Sequence, residues 1–139
     1  MGGCVCGKAR YSIAVEPATV YACHCTDCQK RSGSAFGLAA IVPEPTFRLE
    51  TGATHRWERK MATATYVWFR CSECGTNLYG TKEGVPEIVA LWPGTLDDPS
   101  SIKPQAHFWV RSAQPWFKFS ETDVVFETQP DDLSQVHRS

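Results

Sequence analysis

Cys23-His24-Cys25-Thr26-Asp27-Cys28 places three thiols and an imidazole in six consecutive positions of a 139-residue chain. The residues leading into it, Thr19-Val20-Tyr21-Ala22, are β-branched or aromatic, so a strand is expected from Thr19 to Cys23 that delivers the cluster at its end. Two further pairs lie outside it, Cys4-Val5-Cys6 and Cys71-Ser72-Glu73-Cys74, the latter followed by Gly75. Seven cysteines is an odd number, and pairs this close make poor bridges. Both facts count against a disulfide framework. In a reducing compartment, clustered thiols more often bind metal.

The bulk properties agree with that setting. A chain of this length can bury an ordinary core in one domain without covalent staples. The net charge of −1 offers no basic surplus for nucleic acid. No apolar run approaches the roughly 18 residues of a membrane span. The start has no basic segment followed by an apolar stretch, so no secretory signal is expected. Met1-Gly2-Gly3-Cys4-Val5-Cys6 fails as a myristoylation motif, because Cys6 stands where Ser or Thr is needed. A cytoplasmic protein is expected.

Working outward, Ala9, Tyr11, Ile13 and Val15 alternate with polar residues, the period of a half-buried strand. Further strands are expected at 36–42, 47–50, 55–59, 63–70, 77–81, 87–92, 107–111, 116–119 and 123–127, broken by Gly and Pro signals such as Thr51-Gly52 and Glu83-Gly84-Val85-Pro86. Helical periodicity is confined to one or two turns over Asp27–Ser32 and a helix start at Leu96-Asp97-Asp98-Pro99. Many short strands of this kind predict an all-β, single antiparallel domain over residues 1–127, stabilised by zinc, with a polar tail over 128–139 that frays.

A Cys-x-x-Cys knuckle supplies half of a tetrahedral zinc site, and the glycine after Cys74 eases its turn. Its partner pair is Cys4 with Cys6, or Cys25 with Cys28 in a zinc-ribbon arrangement; spacing does not choose between them. Counting favours the first division. A closed structural site takes four protein ligands and a catalytic one keeps three, so four plus three accounts for every thiol.

The motifs Gly3-Cys4-x-Cys6-Gly7, Cys23-His24-Cys25-x-x-Cys28 with Arg31, Gly33, Ser34, Ala35 and Phe36, Cys71-x-x-Cys74-Gly75-x-x-Leu78, Gly94-x-Leu96-Asp97-Asp98, and His107-x-Trp109 with Trp116 carry a resemblance. Together they resemble the glutathione-dependent formaldehyde-activating enzyme family, which includes centromere protein V. The resemblance implies an Mss4-like all-β fold and two zinc ions. Cys4, Cys6, Cys71 and Cys74 would hold a structural ion, and Cys23, Cys25 and Cys28 a catalytic one. It also implies glutathione as co-substrate, formaldehyde or another small aldehyde as its partner, and a carbon–sulfur lyase activity.

Three thiolates leave a zinc centre net negative, which polarises a carbonyl poorly but can hold a further sulfur deprotonated. An anionic thiol such as glutathione would want cations, and Lys30 and Arg31 follow the trio directly. Ser32-Gly33-Ser34 is read as a loop. His24 lies between two cysteines whose side chains share a face, so an extended backbone aims it away from the metal into a structural role. His107 and the five tryptophans are read as parts of the core. The competing class is a non-catalytic zinc module for a protein or nucleic-acid partner. Exposed edge strands make a homo-oligomer an open expectation.

Overall fold

A computed structural model describes residues 1–61 and 64–130 of the chain. Its strands in chain order are β1 (Gly2–Gly3), β2 (Arg10–Ile13), β3 (Thr19–Cys23), β4 (Gly37–Pro43), β5 (Phe47–Thr51), β6 (Thr54–Lys60), β7 (Thr65–Cys71), β8 (Asn77–Lys82), β9 (Val85–Leu91), β10 (Ala106–Phe108) and β11 (Val124–Val125), with one α-helix, α1 (Thr26–Ser32). The protein is mostly β, as expected. The chain divides into two compact units, Met1–Pro17 with Ala40–Ser101, and Ala18–Ala39 with Ile102–Ser139.

The first unit is built on antiparallel pairs. Strands β1, β2 and β5 form one small sheet, and β4, β9, β8, β7 and β6 lie side by side in another. Alternation explains which faces turn inward. Tyr11, Phe47, Tyr79 and Phe69 form a continuous aromatic run, with ring centroids 5.5, 4.5 and 4.6 Å apart in succession. Leu78, Leu91, Val42 and Ala40 of these strands are fully buried. On the opposite face Gly80 faces the Trp68 ring, which sits so close that a β-carbon there would stand 2.4 Å from it. Edge strand β6 is largely exposed and carries Arg56, Glu58, Arg59 and Lys60, the charged surface that deters edge-to-edge pairing.

In the second unit β10 lies between β3 and β11 and pairs with both in parallel, Ala106 opposite Tyr21 and Val124. The expected antiparallel pairing holds throughout the first unit, and these two parallel pairings add to it: long connections join the strands, so hairpin geometry does not constrain their direction. Tyr21 stacks on Phe108 at 4.2 Å, and Phe126 meets Phe108 edge-on at 5.6 Å.

Several expected elements differ. The strand over 107–111 stops at Phe108 because Trp109 adopts φ 59°, a left-handed conformation that a bulky residue rarely takes, and a 3-10 turn follows over Val110–Ser112. Trp116-Phe117-Lys118-Phe119 alternates like a strand but forms none. Leu96–Pro99 starts no helix; the turn is a 3-10 segment at Pro93–Thr95. The expected start of β7 at Thr63 and the fraying of the far tail, 131–139, lie outside the described residues.

Candidate metal centres

Two sulfur clusters stand on this scaffold. Cys4, Cys6, Cys71 and Cys74 bring their sulfurs within 4.8 Å of one another in the first unit, and Cys23, Cys25 and Cys28 do so in the second. The ribbon pairing of Cys25 and Cys28 with Cys71 and Cys74 is not among these groups.

The four-cysteine cluster is assembled by two similar turns. After Cys71 at the end of β7, the Gly75 N–H donates to the Cys71 carbonyl at 2.9 Å, and Gly75 takes φ 77° to close the turn. After β1, the Gly7 N–H donates to the Cys4 carbonyl at 3.1 Å and Gly7 takes φ 79°. Both glycines occupy positions that a β-carbon would strain. The Ala9 N–H points at the Cys4 sulfur at 3.3 Å. Val5 N–H meets the Thr76 hydroxyl at 3.2 Å and joins the two turns. Sulfur–sulfur distances of 3.4 Å for Cys4–Cys6 and 3.9 Å for Cys6–Cys71 bracket the edge of about 3.8 Å that a tetrahedron with Zn–S near 2.3 Å requires. The donor set fits zinc. Cys4 and Cys71 are buried, while Cys6 and Cys74 face solvent. The Thr76 hydroxyl and N–H, with the Cys6 backbone, hold the Cys74 thiol down to about 5.

The trio is local. Cys23 ends β3, and the chain turns into α1 with Cys25 as its N-cap, the Cys25 sulfur accepting from the Cys28 N–H at 3.3 Å. That helix has Asp27 in its first turn, Lys30 and Arg31 in its last, and Gly33 at φ 65° closing it, each placement favourable to a short helix. Hydrogen bonding from the Cys23 and Cys28 thiols, with help from the Cys28 and Asp27 N–H groups, drives the Cys25 thiol down to about 2. Hydrogen bonding with Cys25 and Cys28, together with burial, pushes the Cys23 thiol up. Cys28 is also up, to about 11, because the Cys25 thiolate and burial outweigh the bond from Cys23. Three sulfurs that compete for protons in this way suit a cation better than they suit one another.

Arg31 reaches the trio: its Nη2 lies 3.5 Å from the Cys28 sulfur, and its Nε lies 3.8 Å from Asp27. Lys30, the other expected cation, is exposed on the last turn of the helix. Of Ser32-Gly33-Ser34, read as a loop, Ser32 is the last residue of α1 and the loop begins at Gly33: the Ser34 N–H donates to the Gln29 carbonyl at 3.2 Å and the Ser32 hydroxyl to the Phe36 carbonyl at 3.1 Å.

His24 is fully buried and joins its Nε2 to Nδ1 of His107 at 2.9 Å, within a box of Phe36, Phe117 and Phe119. Burial, reinforced by His107, lowers its pKa to about 4. Its burial agrees with the sequence reading of a histidine turned into the fold, though its Nδ1 has no hydrogen-bond partner among the described residues. Gln29 and Asp123 escaped that reading. The Gln29 amide nitrogen donates to the His24 carbonyl at 2.7 Å and to the Ser112 carbonyl at 3.0 Å, while Gln114 donates to its oxygen at 2.6 Å. Asp123 lies 3.5 Å from His107 Nε2. Neither has a spacing signal in sequence. The core assignment of all five tryptophans is corrected for two: Trp57 and Trp116 are 53% and 68% exposed.

The fold and the clusters define a β protein with two sulfur groups able to hold metal ions. The chain belongs to the glutathione-dependent formaldehyde-activating enzyme family, whose sequence model matches residues 1–112. Relatives from Aspergillus flavus and Aspergillus oryzae, each named "Putative glutathione-dependent formaldehyde-activating enzyme", are 29% identical over 82 residues, 58% of this chain and 42% of the relative. One of the same name from Sordaria macrospora is 35% identical over 77 residues, 55% of this chain and 32% of the relative. The chain thus matches well under half the length of these curated relatives. A crystal structure of a Rhodobacter sphaeroides protein shares the fold, with TM-score 0.57 and 19% identity over 90% of this chain and 97% of that one. Among the described residues, no helix is long and apolar enough to cross a membrane.

Proposed function

We propose that the chain is a zinc-dependent carbon–sulfur lyase that joins glutathione to formaldehyde, or a related thiol to a small aldehyde, and reverses the reaction. One observation carries this reading: Cys23, Cys25 and Cys28 converge as a group of three with no further His, Cys, Asp or Glu side chain in the group among the described residues. Cys4, Cys6, Cys71 and Cys74 would hold a structural zinc. A zinc ion held by the trio would supply a fourth coordination position at which an incoming thiol loses its proton and becomes a nucleophile.

The chain's own residues perform the rest. Cys23 is buried, so the trio is anchored on its core side, while Cys25 and Cys28 are half-exposed and leave the approach from solvent. Arg31, beside the Cys28 sulfur, offers charge to an anionic thiol and stabilises sulfur in its deprotonated form. Lys30, one residue earlier and exposed, adds to the positive rim that a carboxylate-bearing thiol would meet. The thiolate adds to the aldehyde carbon, forming the C–S bond, and the resulting alkoxide takes the proton that the thiol gave up. The reverse breaks the same bond.

The test is exchange NMR on glutathione and formaldehyde at equilibrium with zinc-loaded protein. Adduct formation and breakdown should exceed their spontaneous rates, and Cys28→Ser should abolish the excess. Spontaneous rates in the presence of fully loaded protein would rule the enzyme out and leave a zinc-bearing interaction module.

A further inference from the structure

We propose that Asp123 and His107 act through His24 as positioning residues for the trio, locking the Cys23-His24-Cys25 segment in the form that lets its thiols converge on a zinc-like cation. The inference rests on reading the trio as a metal site, and its argument is geometric. Cys23 and Cys25 flank His24 and point to the opposite side of an extended backbone, so any twist of the backbone at His24 turns both thiols. His24 is held from several sides. Its N–H donates to the Phe108 carbonyl at 2.9 Å, its carbonyl accepts from Gln29 at 2.7 Å, and its ring meets His107 at 2.9 Å.

Polarity along the chain of rings follows from its far end. The Asp123 carboxylate only accepts; its Oδ2 takes the Ser120 N–H at 2.7 Å and stands 3.5 Å from His107 Nε2. His107 therefore carries its proton on Nε2 and presents a lone pair at Nδ1. His24 answers with a proton on Nε2, which leaves its own Nδ1 as a bare acceptor. That atom is buried and has no hydrogen-bond partner among the described residues. A lone pair is the tolerable orphan, since an unmet N–H at this position would be the costlier one. Phe36, Phe117 and Phe119, at 5.1, 4.9 and 5.4 Å, fix the plane of the His24 ring. The aromatic box sets the ring's orientation and the Asp123–His107 relay sets its tautomer.

Two substitutions separate hydrogen bonding from shape. His107→Phe keeps an aromatic ring against Phe117 and Phe119 but removes the acceptor. His107→Asn loses the ring but offers an amide oxygen near the place of Nδ1. Zinc affinities of both sites would be measured on the full chain by chelator competition, with Cys28→Ser and Cys74→Ser assigning the two steps. Outer residues of this kind typically tune metal affinity by about 10- to 100-fold, so His107→Phe should weaken the trio roughly 10-fold, with His107→Asn within about threefold of wild type. The four-cysteine affinity should stay unchanged in both. The opposite order, with phenylalanine tolerated and asparagine damaging, would show that only ring packing matters and overturn the proposal.

Long-range nitrogen–proton NMR on the wild-type chain gives a second readout that needs no variant to fold. It should find Nε2–H tautomers at both histidines; Nδ1–H at His24 would overturn the relay. A wild-type chain that binds only one zinc would defeat the metal reading itself. Two zincs with an unaltered trio in His107→Phe would defeat the positioning role alone.

Discussion

Gly2→Ala tests how the first strand carries Cys4 into the four-cysteine cluster. A β-carbon at Gly2 would stand 2.4 Å from the Tyr11 ring carbon Cζ and hydroxyl and 2.6 Å from the Thr95 carbonyl oxygen. Carbon atoms are comfortable at about 3.5–4.0 Å, so the overlap exceeds roughly 1 Å. Neither neighbour yields easily: Tyr11 is fully buried, its hydroxyl is bonded to the Thr95 hydroxyl at 2.7 Å, and the third obstacle is backbone. Overpacking of this type costs about 1–3 kcal/mol. The simplest relief moves β1 off β2, and Cys4 follows β1 directly, so the strain falls on the metal site. At about 1.4 kcal/mol per tenfold, zinc affinity of the four-cysteine site should drop roughly 5- to 150-fold. Chelator competition with zinc quantified by mass spectrometry would measure it, alongside thermal unfolding of the loaded protein. Wild-type zinc affinity together with an unshifted Tm would refute the reasoning.

The Arg10 guanidinium, bonded to both Asp97 carboxylate oxygens, holds that carboxyl below its ordinary range. A depressed folded pKa gives stability that is present above the unfolded value and lost as pH falls through the folded one. Asp97→Asn should therefore be less stable than wild type at neutral pH, with the difference closing below about pH 4 in acid unfolding curves. Cys28→Ser should remove one zinc per chain and leave the other in place, read by native mass spectrometry. In metal-free protein, the Cys74 thiol at about 5 should alkylate faster at pH 6–7 than its equally exposed cluster neighbour Cys6, which is pushed up to about 12, and zinc should suppress the reaction.

Strands whose register is set by alternation were legible residue by residue: β3 matches its expected bounds, and β5, β6, β8 and β9 lie within a few residues of theirs. Legibility ended where non-local contacts decide. Phe117 and Phe119 alternate as strand residues do, yet they serve as walls of the box around His24 and His107. The parallel pairing of β10 depends on connections that carry no local pattern. Among site residues, the seven cysteines announce themselves by clustering, and Arg31 by adjacency. Gln29 meets Ser112 and Gln114, and His107 meets His24, across more than eighty positions, while Asp123 joins the group only through His107, so spacing has nothing to say about these contacts.

Scattering at the zinc absorption edge, from crystals of the full chain grown with glutathione, addresses the division of thiols most directly. Two peaks are expected: one enclosed by Cys4, Cys6, Cys71 and Cys74, the other against Cys23, Cys25 and Cys28 with a glutathione sulfur as its fourth neighbour. A single peak, or a second peak whose fourth neighbour is a side chain of this protein, would contradict an open three-thiol centre.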